Sequence, residues 1–202
     1  MDINSYKDIK TCYNDRYEKF GYDVRTIGWG SAESQMLRFK VLSDIADLRG
    51  KTICDVGCGF GDLYSYLIKR FGHVNYIGFD LSDKLIAEAM TRYPEANFET
   101  KDILQDSPDM DIDYVLCSGA LNLKINEHEK YVEQMLVRMF ELGKRGVAVN
   151  FLSSYVDYSL DKDFHFSPES AFKLGKRITN FVSLRHDYPL YEFTLYLYHQ
   201  DA

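Results

Sequence analysis

No apolar run in this 202-residue chain approaches the roughly 20 residues that a membrane-spanning helix requires. The first thirty residues are polar and charged, without the apolar core of an export signal. The expectation is a soluble, cytoplasmic protein with no membrane partner. Positive charge is also in deficit: 24 Lys and Arg stand against 31 Asp and Glu, a formal net charge of −7. That balance withholds the general attraction for phosphate backbones on which nucleic-acid binding depends, so no nucleic-acid partner is expected. The four cysteines, Cys12, Cys54, Cys58 and Cys117, lack C-x-x-C spacing, and His73, His128, His165, His186 and His199 lack H-x-x-x-H spacing. No metal site is expected, and the thiols read as small hydrophobes in a reducing compartment. Four scattered prolines and no Gly/Ser-rich tract leave no linker at which a second domain begins. Residues 1–202 therefore read as one domain, with residues 1–48 as an N-terminal helical cap. What is plentiful is aromatic: 16 Tyr and 13 Phe supply core volume and flat pocket walls.

Periodicity organises the chain. A short helix in residues 1–30 ends at Gly28-Trp29-Gly30. Ser31 then caps a second helix, in which Leu37, Val41, Ile45 and Leu48 recur at helical spacing before Gly50. From Lys51 onward, short apolar runs alternate with helical segments, the signature of βαβ units and a parallel sheet. Strands are expected at Thr52–Val56, Val74–Asp80, Asn97–Thr100, Ile112–Ser118 and Gly146–Leu152. Helices are expected where Leu63, Leu67 and Phe71 recur, over 83–92 and over Glu127–Leu142, and from the cap, proline and acid of Ser167-Pro168-Glu169. Residues 179–186 and 192–199 then read as an antiparallel pair that closes the sheet.

The informative stretch is Asp55-Val56-Gly57-Cys58-Gly59-Phe60-Gly61-Asp62, where the first strand hands over to a helix. Glycines there permit a tight turn and close backbone approach to a ligand, and the helix N-terminus offers unpaired N–H groups. The dinucleotide fingerprint G-x-G-x-x-G wants glycine where this chain has Asp62, a carboxylate that repels a pyrophosphate. The spacing argues for a ligand without phosphate. At the end of the second strand, Asp80, followed by Leu81, is placed to accept hydrogen bonds from both hydroxyls of a ribose. After the third strand, Asp102 is placed to accept from an adenine amine while Ile103 packs on the base. Ser118 and Gly119 end the fourth strand at the same edge, so four strand ends converge on one crevice.

These residues resemble the class I S-adenosylmethionine-dependent methyltransferases. The family's glycine motif matches Asp55–Gly61, its ribose-binding acid Asp80, its adenine-binding acid Asp102 and its closing antiparallel strand residues 192–199. The resemblance implies a Rossmann-like, doubly wound α/β fold: a mostly parallel seven-stranded sheet with an antiparallel last strand and helices on both faces. It implies S-adenosylmethionine as cofactor, with Gly57, Gly59 and Gly61 contacting its methionine moiety and Asp55 holding the loop.

Methyl transfer from a sulfonium needs positioning and water exclusion more than a dedicated base. Trp29, Tyr13 and the loop 155–166 offer aromatic cover for a cation, and Arg38 is a partner for the cofactor's carboxylate. His165, in Phe164-His165-Phe166, and Asn122, after the fourth strand, are the candidate catalytic groups. The acceptor is expected to be a small molecule: the chain is acidic, and Ser118-Gly119-Ala120-Leu121 replaces the Asn/Asp-Pro-Pro-Tyr/Phe sequence of amino-methylating relatives. The rival readings are a non-catalytic regulatory protein that binds the same cofactor, an enzyme that methylates a protein side chain, and a nicotinamide-dependent oxidoreductase.

Overall fold

The computed structural model describes residues 6–28, 30–157 and 159–200. Two helices come first, α1 (Tyr6–Phe20) and α2 (Ala32–Leu42). Ser31 caps α2 through its side chain, which accepts from the Ser34 N–H. There follow β1 (Thr52–Val56), α3 (Asp62–Phe71), β2 (Asn75–Asp80), α4 (Asp83–Arg92), β3 (Asn97–Thr100) and β4 (Ile112–Ser118). The chain continues as α5 (His128–Leu142), β5 (Gly143–Ser153), β6 (His165–Phe166), α6 (Pro168–Ile178), β7 (Phe181–Arg185) and β8 (Glu192–Tyr198).

Seven strands lie in the order β3-β2-β1-β4-β5-β8-β7. Every pairing from β3 to β5 is parallel, and β8 runs antiparallel to both of its neighbours. The expected mostly parallel sheet with an antiparallel last strand is thus the fold of this chain. Two details differ from the sequence reading. An eighth strand, β6, pairs parallel with the end of β5, where Leu152 meets His165 on one side and Glu192 of β8 on the other. It therefore takes up the lane that β4 occupies lower in the sheet. In addition, β5 begins at Gly143, directly after α5, because Ile112 of β4 pairs with Gly143 across an irregularity in the register.

Side chains alternate along the strands and build a core on each face. Cys54, Ile77, Val115, Val147, Val149, Leu195 and Leu197 pack with Val132, Leu136 and Met139 of α5 and Ala171 and Leu174 of α6. Their strand neighbours Ile53, Tyr76, Tyr114, Leu116, Ala148 and Tyr196 face the other way. They pack with Phe39, Val41 and Leu42 of α2, Leu63 and Leu67 of α3 and Ile86 and Ala89 of α4. Burial on both faces explains why these strands are predominantly apolar in sequence, with few polar residues between the core positions. It also makes α2 part of a helical layer as well as a cover. No helix among the described residues is long and apolar enough to cross a membrane.

Candidate active site

The C-terminal ends of β1, β2 and β4 and the loop after β3 open into one pocket. Its walls include Asp55, Gly57, Gly59, Asp80, Leu81, Asp102, Ile103, Ser118 and Gly119. This is the crevice where open α/β sheets bind ligands. The glycine loop is built against β2: the N–H groups of Gly57 and Cys58 both donate to the Phe79 carbonyl, at 2.7 and 3.0 Å. Gly57 has φ +74°, and a Cβ there would lie 2.3 Å from the Cβ of Ala120. Gly61, at the start of α3, has φ +77°, and its Cβ would lie 2.6 Å from the Phe98 ring. At both positions the backbone angle and the space admit glycine alone.

Asp80 ties this loop to the next helix. One carboxylate oxygen accepts from the Gly59 N–H at 2.9 Å and the other from the Ser82 N–H at 2.9 Å. Burial pushes its carboxyl above the ordinary value, against the pull of those backbone donors. Asp55 is 2% exposed. Burial pushes it further, up to about 7, although the Tyr76 hydroxyl donates to it at 2.7 Å. The side-chain partner of Asp55 is thus Tyr76 on β2, whereas the loop that follows it is held by Phe79 and Asp80. Asp102 accepts from the Leu104 N–H at 3.0 Å and from the Gln105 amide at 2.9 Å, which folds the turn that carries Ile103 into the wall. The Ser118 Oγ is buried with no hydrogen-bond partner among the described residues, at the edge of the pocket. An orphaned hydroxyl in that position is what a polar ligand satisfies.

Several sequence candidates lie elsewhere. Arg38 does not face the pocket: its guanidinium is clamped on Glu192, with Nε at 2.8 and 2.6 Å from the two carboxylate oxygens and Nη2 also on Oε1. The carboxylate that engages it belongs to the protein, not to a ligand. Asn122 is outside the pocket wall, where its side-chain oxygen accepts from the Leu152 N–H at 3.2 Å. His165 is in β6 with Nδ1 2.9 Å from the Ser153 carbonyl, likewise outside the wall. Both side chains are spent on joining β5 to its neighbours. Trp29 lies outside the described residues.

The cover comes from residues that the sequence reading did not single out, apart from Tyr13. Ile9 and Tyr13 of α1, Ile27, and Gln35 and Phe39 of α2 line one side, and Tyr131 and Met135 of α5 another. Gln35/Phe39 and Tyr131/Met135 are i, i+4 pairs, so each projects from a single helix face. That spacing was the available signal. Burial pushes the Tyr13 phenol up to about 12, which keeps it a neutral donor. Asp62, in place of a third glycine, receives the Tyr22 hydroxyl at 3.2 Å at the start of α3. The pocket is acidic, with Asp55, Asp62, Asp80 and Asp102 against Lys101, whose ammonium lies 2.9 Å from Glu99. No group of three metal-ligating side chains occurs among the described residues.

A doubly wound sheet with β8 inserted antiparallel, a glycine loop after β1 and acids after β2 and β3 defines the Rossmann-like methyltransferase class. The family model described as "Methyltransferase domain" matches residues 53–146. Rv1506c of Mycobacterium tuberculosis, which bears a provisional methyltransferase name, is 33% identical over 151 residues, covering 71% of this chain and 90% of that protein. The chain therefore belongs to the class I S-adenosylmethionine-dependent methyltransferases. The trans-aconitate 2-methyltransferase of Variovorax paradoxus is 31% identical over 88 residues, which span 43% of this chain and about a third (34%) of that enzyme. Among solved structures, the Synechocystis magnesium protoporphyrin IX methyltransferase with bound S-adenosylmethionine superposes with a TM-score of 0.67 at 20% identity. That alignment covers 96% of this chain and 98% of the other.

Proposed function

We propose that this pocket binds S-adenosylmethionine and that the protein transfers its methyl group to a small-molecule acceptor. The supporting observation is the convergence on one pocket of the glycine loop, Asp80, the Asp102–Ile103 turn and the unpartnered Ser118 Oγ. In this reading Gly57, Gly59 and Gly61 allow the methionine moiety to approach the backbone. Asp80, pinned on two N–H groups, retains lone pairs for the ribose hydroxyls. Asp102 accepts from the adenine amine, Ile103 and Leu81 pack on the base and ribose, and Ser118 and Gly119 close the far wall. The cofactor supplies a sulfonium-bound methyl group, and an acidic pocket walled by Tyr13 and Phe39 favours that cation.

A small acceptor agrees with the net charge of −7 and with Ser118-Gly119-Ala120-Leu121 at the end of β4. The relatives named for trans-aconitate and magnesium protoporphyrin IX lend it further support. Calorimetric titration of S-adenosylhomocysteine, with NAD as control, tests the cofactor. Micromolar binding by the wild type, weakened in Asp80→Ala, is expected. Absence of binding, or binding of NAD alone, overturns the reading. Release of S-adenosylhomocysteine with panels of small acids, phenols and amines tests the acceptor, and turnover confined to a protein panel would reject the small-molecule class.

A further inference from the structure

A line of buried polar groups crosses the sheet edge from α2 to the pocket. Arg38 (7% exposed) holds Glu192 on β8 (2% exposed), and Glu192 accepts from the side-chain amide of Asn150 on β5 (1% exposed) at 2.9 Å. The carbonyl oxygen of the same amide accepts from the Gly119 N–H at 2.8 Å. The carboxylate can only accept and the peptide N–H can only donate, so the Asn150 amide has a single permitted orientation. Gly119, at φ +74°, turns the chain from β4 into Ala120, and Ala120 in turn packs against Gly57. One continuous path thus joins four strands, β8, β5, β4 and β1, and terminates on three residues of the pocket wall, Gly119, Ala120 and Gly57. Arg38, Glu192 and Asn150 are all buried, and a buried polar network that is hydrogen-bonded throughout is rigid.

We propose that Asn150 is a positioning residue for cofactor binding: it fixes the Gly119 peptide at the end of β4 and is itself aimed by Glu192 and Arg38. The proposal rests on the reading that this pocket holds S-adenosylmethionine. It gives the buried ion pair a task beyond stability, since the pair sets the direction in which the Asn150 amide points. Freed from Asn150, the Gly119 N–H would need another partner. The Ser118–Gly119 peptide would rotate, and with it the wall on which Ser118 and Gly119 meet the ligand.

The test separates positioning from mere support. S-adenosylhomocysteine is titrated calorimetrically, well below the melting temperature, into the wild type, Asn150→Ala, Asn150→Asp and Tyr188→Phe. The last variant loses only the hydroxyl that lies 3.0 Å from Thr194 Oγ1 in the same buried layer. Asn150→Ala is expected to raise the Kd about tenfold, whereas Tyr188→Phe lowers the melting temperature with the Kd unchanged. Asn150→Asp keeps an acceptor for Gly119 but sets a second carboxylate against Glu192. It is expected to lose stability while recovering affinity to within about twofold of the wild type, a rescue of binding that a purely structural role does not give. A folded Asn150→Ala that binds as the wild type does, or affinities that follow melting temperature across all three variants, overturns the proposal. If Asn150→Ala does not fold, amide hydrogen exchange of the unliganded wild type decides: slow exchange at Gly119 supports the bond to Asn150, and exchange at the rate of an exposed loop overturns it. Failure of the wild type to bind S-adenosylhomocysteine rejects the pocket assignment instead, which keeps the two ideas distinguishable.

Discussion

Gly59 and Asp80 are joined by a 2.9 Å hydrogen bond from the glycine N–H to a carboxylate oxygen, so the loop after β1 and the end of β2 move as one piece. This acid of the pocket wall is therefore also a structural tie for the loop beside it. Asp80→Ala is expected to weaken S-adenosylhomocysteine binding by about 1.5–3 kcal/mol, the range for hydrogen bonds to a charged group. Asp80→Asn, which keeps one acceptor oxygen, falls between it and the wild type. Calorimetry on the three proteins gives the order directly, and an unchanged Asp80→Ala removes the ribose assignment.

Gly57→Ala combines two penalties. The left-handed backbone costs about 1–3 kcal/mol for a residue with a side chain, and the contact with Ala120 adds overpacking of about 1–3 kcal/mol. Urea unfolding of Gly57→Ala, Ala120→Gly and the double variant separates the two. The double variant is expected to regain the packing part and to retain the backbone part.

Asp55 and His128 give stability opposite pH slopes. Asp55 ionises near 3.8 in the unfolded chain and at about 7 when folded. As pH rises between these values the unfolded chain releases a proton that the native state keeps, so stability falls, by on the order of 4 kcal/mol in all, and is level above 7. His128, whose Nε2 lies 3.0 Å from the Leu121 carbonyl and whose Nδ1 accepts from the Ile125 N–H, is pushed from 6.5 down to about 4 by burial. As pH falls from 6.5 towards 4 the unfolded chain gains a proton that the native state refuses, so this contribution is lost on acidification. The two slopes largely cancel in the wild type. Asp55→Asn is expected to expose the loss on acidification, and His128→Asn the loss on alkalinisation. Unfolding free energies at pH 4.5 and 7.5 read both, and two flat variants contradict the assignment.

Glu192→Ala leaves the Arg38 guanidinium buried without its carboxylate and is expected to cost about 3–5 kcal/mol. Arg38→Met combined with Glu192→Leu removes both charges and recovers most of that loss, short of what the unpaired Asn150 amide costs. Denaturant midpoints of the two proteins test this, and a double variant as unstable as the single one refutes it.

The strands and the pocket floor were legible because each depends on neighbours in sequence. Burial on both faces makes β1, β4 and β8 mainly apolar, and the glycine loop sits within a few residues of the strand that aims it. Arg38 was misread because its partner lies 154 residues away, and an arginine on an amphipathic helix looks the same whether it meets a ligand or a buried glutamate. His165 and Asn122 misled for a related reason: a polar residue near a strand end serves catalysis or strand pairing equally well. β6 escaped notice because two residues carry no periodicity. Its existence follows from the space left beside β5 once β4 has ended.

The place of β8 bears on how the molecule comes into being. Synthesis proceeds from the N-terminus, yet β8 is the last strand of the described chain to be made and lies inside the sheet between β5 and β7. Until it emerges, β5 offers a bare hydrogen-bonding edge to any other nascent strand, and Glu192 is not yet in place beside Arg38. A ribosome-bound intermediate is thus adhesive until its final strand arrives, and the Asn150 amide gains the carboxylate that orients it only in that late step, when Glu192 slides into the gap.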